Sequence, residues 1–159
     1  MEYITQGSWD KIQTLHPKIR QEVLDAVVHV NEFILPKGVR MGIVQALRTF
    51  KEQHTLFLQR PKVTQADAGQ SHHNYGLAFD FAILIDKDGD GNFEQVSWMV
   101  DQHWLDIATY FKSLGYSWGG DWKFVDKPHL EKLFGHTWRD LLPKYNKRDW
   151  IPGTTYVNI

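Results

Sequence analysis

The sequence predicts an α+β fold, with a small and mostly antiparallel sheet, packed helices and a single domain over residues 1–159. Segments with a helical apolar period and segments with alternating apolar residues follow one another in mixed order. The chain contains no internal repeat and no Pro-, Gly- or Ser-rich linker, and its 159 residues suit one domain. With 42% hydrophobic and 23% charged residues, the composition is that of a globular protein.

Helices are predicted where apolar residues recur at steps of three and four. Pro17 suits the first turn of a helix, where its missing N–H costs little. Thr49 and Glu52 have the spacing of a capping box, and Gly115 is a plausible C-terminal cap. The predicted helices span 8–15, 17–32, 50–60, 101–114 and 137–145.

The clearest strand covers residues 77–85, where the pattern alternates. Phe79, Phe81 and Ile83 fall on a core face, whereas Asp80 lies among small residues on the other face. Residues 61–75 are polar and predict a long loop, which in a compact domain is usually functional or disordered. The predicted strands span 39–47, 77–85, 93–98, 116–118 and 128–133.

Composition excludes several classes of function. A net charge of -1 is not that of a nucleic-acid binder, and no apolar run approaches the roughly 18 residues that span a bilayer. The chain has no cysteine, so any metal must be held by carboxylates and the eight histidines. The N-terminus shows no signal-peptide pattern. We therefore expect a protein made in the cytoplasm.

Two imidazoles and two carboxylates could converge on one centre. His73 ends the long loop seven residues before Asp80, and Asp126 precedes His129 by three residues. Taken singly, these residues have ordinary alternatives: a surface histidine, an edge carboxylate, a turn former and a core histidine. Together they suit a zinc site with two imidazoles, one carboxylate and an open position. Glu131 could orient an imidazole from outside or be a solvated carboxylate, and both interpretations stay open.

The motifs resemble those of a known family. The pattern is Ser71-x-His73-x-x-Gly76-x-Ala78-x-Asp80, followed by Asp126-x-x-His129. It is similar to the signature of zinc peptidoglycan peptidases, which include D-alanyl-D-alanine carboxypeptidases and dipeptidases and the L-alanyl-D-glutamate endopeptidases of phage endolysins. Residues 69–81 and 118–123 are most similar to the endolysin branch, and the resemblance covers about residues 40–133.

The resemblance implies a hedgehog/DD-peptidase-like zinc peptidase domain and a set of roles. His73, Asp80 and His129 would be the ligands of one zinc ion, and Asp126 the catalytic base. Arg48 would lie near the scissile carbonyl, although Leu47 replaces the aromatic residue usual before that arginine. Residues 135–159, which follow the region of resemblance, are expected to pack on this domain as a C-terminal extension.

The implied function is hydrolysis of the L-alanyl-D-glutamate bond in peptidoglycan stem peptides. Two alternatives stay open, a D-alanyl-D-alanine carboxypeptidase and a non-catalytic, zinc-stabilised peptidoglycan-binding domain. Stem peptides are the expected partner. Neither nucleic acid nor a membrane is expected to bind, and we expect a monomer that acts on the cell wall after release.

A separate acidic segment follows the strand at residues 77–85. Asp86, Asp88 and Asp90 match the first acidic positions of a calcium loop, but the twelfth position, normally Glu, is Ser97. An acidic hairpin turn explains the same residues. Calcium binding and the hairpin turn are both retained as interpretations.

Overall fold

Helices and strands are mixed along the chain in the computed structural model, which describes residues 2–159. The fold is α+β, as predicted. The α-helices are α1 (Gln6–Gln13), α2 (Pro17–His29), α3 (Phe50–Leu58), α4 (Gln102–Ser113) and α5 (Trp138–Asn146). The strands are β1 (Val39–Gln45), β2 (Ala78–Ile85), β3 (Gln95–Ser97), β4 (Ser117–Trp118) and β5 (His129–Glu131). Short 3-10 turns cover His72–Tyr75 and Gly119–Asp121.

Strand β2 is the centre of the sheet. It pairs antiparallel with β1 along one edge, while β5 and β3 share the other edge. Strand β5 lies beside the first part of β2, and β4 pairs antiparallel with β5. In this register Asp80 and His129 are direct cross-strand partners. Two of the predicted ligands are therefore brought together by the sheet itself.

The core lies between β2 and helices α2 and α4. Phe79, Phe81 and Ile83 alternate onto the core face of β2, and each is at most 2% exposed. They join one apolar cluster with α2 and α4, including Val23 and Phe111. Burial of such side chains contributes roughly 1.5–3 kcal/mol each.

A second apolar cluster joins the start of β2 to the C-terminal segment. Tyr75 and Leu77 are buried with Leu141 of α5 and Val157 near the end of the chain. The His16 ring also makes a 2.8 Å hydrogen bond to the Val157 carbonyl. Residues 137–159 thus cover the side of the molecule where the loop at 72–75 enters β2.

Some elements differ from their predicted bounds. Helix α2 ends at His29 and continues as a π-helix over Val30–Ile34. There the side chain of Asn31 turns inward and accepts a hydrogen bond from the Met41 backbone N–H at 2.7 Å. Helical periodicity predicted a regular helix to residue 32. It does not predict the π-helix, because the bond to Met41 joins this segment to a different element, β1.

The other differences are at strand ends. Strands β3 and β5 have three residues each, shorter than predicted. The loop at 61–75 closes in a 3-10 turn rather than remaining irregular to its end. Within residues 2–159 no helix combines the length and apolar character needed to cross a bilayer.

Candidate metal centre and active site

The turn before β2 positions His73. The Ser71 hydroxyl accepts a hydrogen bond from the His73 backbone N–H at 3.3 Å, and the Asn74 side-chain oxygen accepts one from the Ser71 N–H. Gly76 then takes a left-handed conformation, with φ of 68°, and turns the chain into β2. A Cβ at this position would lie 2.6 Å from the backbone nitrogen of His16, so only glycine fits.

Three side chains converge on the face of β2 opposite the core. His73 Nε2 lies 3.3 Å from Asp80 Oδ1, and His129 Nδ1 lies 3.4 Å from the same oxygen. Both histidines are almost fully buried. These residues form a His–Asp–His group whose donor atoms all lie within 4.8 Å of one another and could hold a metal ion. The structure thus brings together the three residues predicted as ligands.

The outward-facing nitrogen of each imidazole has its own partner. His73 Nδ1 lies 2.9 Å from the Ala46 carbonyl oxygen, which can only accept a hydrogen bond. His129 Nε2 lies 2.7 Å from Glu131 Oε2. These bonds place a proton on the far nitrogen of each ring and leave the near nitrogen free to bind a metal ion.

The geometry at Asp80 fits a tetrahedral ion. Oδ1 is buried and has no hydrogen-bond partner among residues 2–159, and buried polar atoms are seldom left in that state. Two ligand atoms bound about 2.0–2.1 Å from one tetrahedral zinc ion are roughly 3.3 Å apart. The observed separations of 3.3 and 3.4 Å match this value. The residues present therefore fit a zinc ion.

The electrostatics of the cluster favour a bound cation. Burial opposes ionisation of Asp80, but His129 and His73 outweigh it and hold the pKa of that carboxyl below its ordinary value. Burial likewise opposes protonation of His129, but Asp80 and Glu131 raise the pKa of that imidazole to about 9. Because a metal ion binds the neutral imidazole, metal binding at this group is coupled to the protonation of His129.

Asp126 lies beside this group but further away. Its Oδ2 is 3.8 Å from His129 Nδ1, and its side chain is 50% exposed, compared with 20% for Asp80. Burial, with a contribution from the Asp80 carboxylate, raises the pKa of Asp126, although His129 opposes the rise. The Asp126 backbone N–H donates to the Gly119 carbonyl at 2.9 Å. This carboxylate can reach a water molecule at the centre without belonging to the His–Asp–His group.

Arg48 reaches the site from the segment after β1. Its backbone N–H donates to the His73 carbonyl, and its Nη1 donates to Gln53 Oε1 at 2.9 Å. Gln53 is fully buried and donates its amide to the Ala66 carbonyl. The charge of Arg48 opposes the burial-driven rise in the pKa of Asp126, so the two side chains lie within electrostatic reach.

Sequence reasoning missed several supporting residues. Gln53 accepts a hydrogen bond from Arg48 and orients it, but nothing in the sequence distinguishes this glutamine from an exposed one. His72 lies outside the ligand group, yet it bonds to Glu131. Both Trp104 and Trp118 donate their indole N–H to the Lys127 carbonyl, which holds the turn between the predicted base and ligand.

The acidic segment after β2 forms a turn closed by its own carboxylates. The two oxygens of Asp86 accept from the backbone N–H groups of Gly89 and Gly91, as in an acidic hairpin turn. Asp86, Asp90 and Glu94 have oxygens close enough to share an ion, whereas Asp88 is outside this group. Calcium binding at this turn stays a prediction.

The chain is similar to known peptidases. A family model described as D-alanyl-D-alanine carboxypeptidase matches residues 64–132. The chain is 42% identical over 132 residues to the peptidoglycan L-alanyl-D-glutamate endopeptidase CwlK of Bacillus subtilis (strain 168), covering 75% of this chain and 74% of that protein. It is 33% identical over 95 residues to the L-alanyl-D-glutamate peptidase of Listeria phage A118, covering 59% of this chain and 31% of that protein.

Proposed function

The chain belongs to this family of peptidoglycan peptidases, and we propose that it is a zinc-dependent enzyme that hydrolyses the L-alanyl-D-glutamate bond of peptidoglycan stem peptides. The observation that carries the proposal is the His–Asp–His group with the half-exposed Asp126 beside it. A group that only stabilised the fold would need a fourth protein ligand, whereas catalytic zinc sites keep one position open.

The choice of bond rests on the two relatives. Both are named for the L-alanyl-D-glutamate bond. The match to the Bacillus subtilis protein covers about three quarters of this chain and about three quarters of that protein. The matching family model is described by a different bond, the D-alanyl-D-alanine bond. A D-alanyl-D-alanine carboxypeptidase is therefore the second candidate, and the two differ in the product that they release.

Each side chain has a role that follows from its surroundings. A zinc ion held by His73, Asp80 and His129 would polarise the peptide carbonyl and make a water molecule more acidic. Asp126 would accept the proton of the attacking water and return it to the leaving amine, since its carboxylate is open to solvent. Arg48 would donate hydrogen bonds to the carbonyl oxygen as its negative charge develops.

Mass spectrometry of digested peptidoglycan tests the proposal. The zinc-loaded protein should release fragments cut between L-alanine and D-glutamate, leaving a new amino terminus on D-glutamate. Release of free D-alanine would favour the carboxypeptidase. Binding to peptidoglycan without any product would favour a non-catalytic binding domain.

A variant of the base provides the control. Asp126→Asn keeps the size of the side chain but cannot accept a proton at neutral pH. It should retain zinc and the fold and lose about 10²-fold or more in turnover. Loss of zinc in this variant would make Asp126 a ligand, and normal turnover would place the base elsewhere.

A further inference from the structure

His72 is adjacent to a predicted ligand but faces away from the metal centre. Its Nδ1 lies 2.8 Å from Glu131 Oε2, the same oxygen that lies 2.7 Å from His129 Nε2. Its Nε2 accepts a hydrogen bond of 3.2 Å from the backbone N–H of Trp138, the first residue of α5. One carboxylate oxygen is thus held between two imidazoles.

The direction of each hydrogen bond from Trp138 through His72 to Glu131 follows from which atoms can donate. A backbone N–H can only donate, so Trp138 requires a lone pair on His72 Nε2. The proton of neutral His72 is therefore on Nδ1 and points at Glu131. Glu131 is buried, with its side chain 9% exposed, and accepts from both rings. Its carboxylate has little freedom to turn away from His129.

This arrangement acts on a ligand from outside the ligand group. The bond from His129 Nε2 to Glu131 orients the ring so that Nδ1 faces Asp80. Partners of this kind fix the tautomer and direction of a ligating imidazole, and their loss typically weakens metal binding by about 10–100-fold. His72 restrains that partner from the opposite side.

We propose that His72 is a positioning residue that, through Glu131, holds His129 in its metal-binding orientation and connects the metal centre to the first turn of α5. The inference rests on the zinc site of the proposed function. Trp138 lies outside residues 64–132, which the family model matches. The N-terminal N–H groups of a helix have no partner within the helix, and His72 supplies an acceptor for one of them.

Two substitutions separate the contacts of His72. The amide of an asparagine reaches the position of Nδ1, so His72→Asn keeps a donor for Glu131 and loses the acceptor for Trp138. The amide of a glutamine reaches the position of Nε2, so His72→Gln keeps the acceptor for Trp138 and loses the donor for Glu131. A residue that only capped α5 would tolerate glutamine better than asparagine.

Zinc affinity, measured by competition with a chelator, is the decisive readout. His72→Gln should bind zinc up to about 10-fold more weakly than the wild type, the lower end of the range for losing a ligand's own partner because Glu131 is still present, and His72→Asn should bind within about twofold of it. The visible absorption spectrum of the cobalt-substituted protein should change in His72→Gln and not in His72→Asn. Circular dichroism of the zinc-loaded proteins establishes that both variants are folded.

The outcomes separate this inference from the proposed function. Equal zinc affinity and equal cobalt spectra in the wild type and both variants would overturn the role of His72, while peptidoglycan cleavage could still stand. Weaker binding in His72→Asn than in His72→Gln would also overturn it, because it would point to the α5 contact alone. A wild-type protein that binds no zinc would refute the proposed function and, with it, this inference.

Discussion

Replacing Gly119 by alanine tests how Asp126, the proposed base, is positioned. An added Cβ would lie 2.2 Å from the carbonyl oxygen of Asp126 and 3.0 Å from its carbonyl carbon and Cβ. Ordinary contacts begin at 3.4 Å. The Asp126 backbone must therefore move by about 1 Å, since the nearest obstructing atom is a main-chain carbonyl oxygen that cannot rotate away.

The expected effect on turnover follows from this displacement. A misplacement of about 1 Å in a catalytic group can cost about 10²-fold in rate. Overpacking should also lower the free energy of unfolding by about 1–3 kcal/mol. Zinc affinity should fall less than kcat, because only one of the three predicted ligands is tied to the displaced group: the Asp126 carbonyl accepts a hydrogen bond from the His129 N–H at 3.2 Å, whereas His73 and Asp80 come from the turn before β2 and from β2 itself.

The assay compares kcat on a soluble stem peptide with zinc content and melting temperature. Gly7→Ala is the matched control, because Gly7 lies on the exposed face of α1 and its Cβ would meet only Lys11 Nζ at 4.0 Å. That change should leave kcat unchanged and stabilise the helix by up to about 1 kcal/mol. Wild-type kcat in a zinc-bound Gly119→Ala protein would refute the view that this contact positions the base.

Four further predictions address other parts of the molecule. His73→Ala should lose zinc and activity, and full metal content by elemental analysis would contradict its role as a ligand. Arg48→Lys should keep the charge but lose the planar fork, so kcat should fall by about 10²-fold with little change in KM, and an unchanged kcat would exclude a role in the transition state. Burial lowers the pKa of His16 from 6.5, so the folded state holds this ring neutral and the unfolded chain takes up the proton as pH falls. Urea unfolding should show the stability advantage of the wild type over His16→Asn shrinking as pH falls below 6.5, and a constant difference would contradict this. If the acidic turn binds calcium, calcium should raise the melting temperature, and the double change Asp88→Asn, Asp90→Asn should abolish the rise, whereas a flat calorimetric titration would leave only the hairpin turn.

The sequence predicted the elements that carry local signals. The alternation around Asp80 identified β2 and its two faces, and Thr49 with Glu52 identified the start of α3, where the structure contains the capping box. Gly76, a residue of the motif, is the left-handed residue that precedes β2. These predictions depend on neighbours within a few residues, where periodicity and backbone conformation decide the structure.

The supports of the site could not be predicted, because they depend on contacts between distant segments. His72 and Glu131 are separated by 59 positions in the chain and meet only after β5 has paired with β2. In the sequence, Gln53 cannot be distinguished from a solvent-exposed polar residue of a helix. Its burial depends on the loop that brings the Ala66 carbonyl to its side-chain amide. Asp80 and His129 were singled out by residue type and by resemblance, while their direct pairing depends on strand register.

The functional unit is larger than the segment that carries the motifs. Residues 64–132 contain the three predicted ligands and the proposed base. Two supporting groups lie before this segment, on the chain that follows β1. They are the Ala46 carbonyl, which accepts a hydrogen bond from His73, and Arg48, the predicted oxyanion donor. The N–H that fixes His72 lies after it, in α5. Since β1 is held by the sheet and α5 by the second apolar cluster, packing far from the metal determines where these groups lie. A change in either flank can therefore alter the site without touching any residue of the motif.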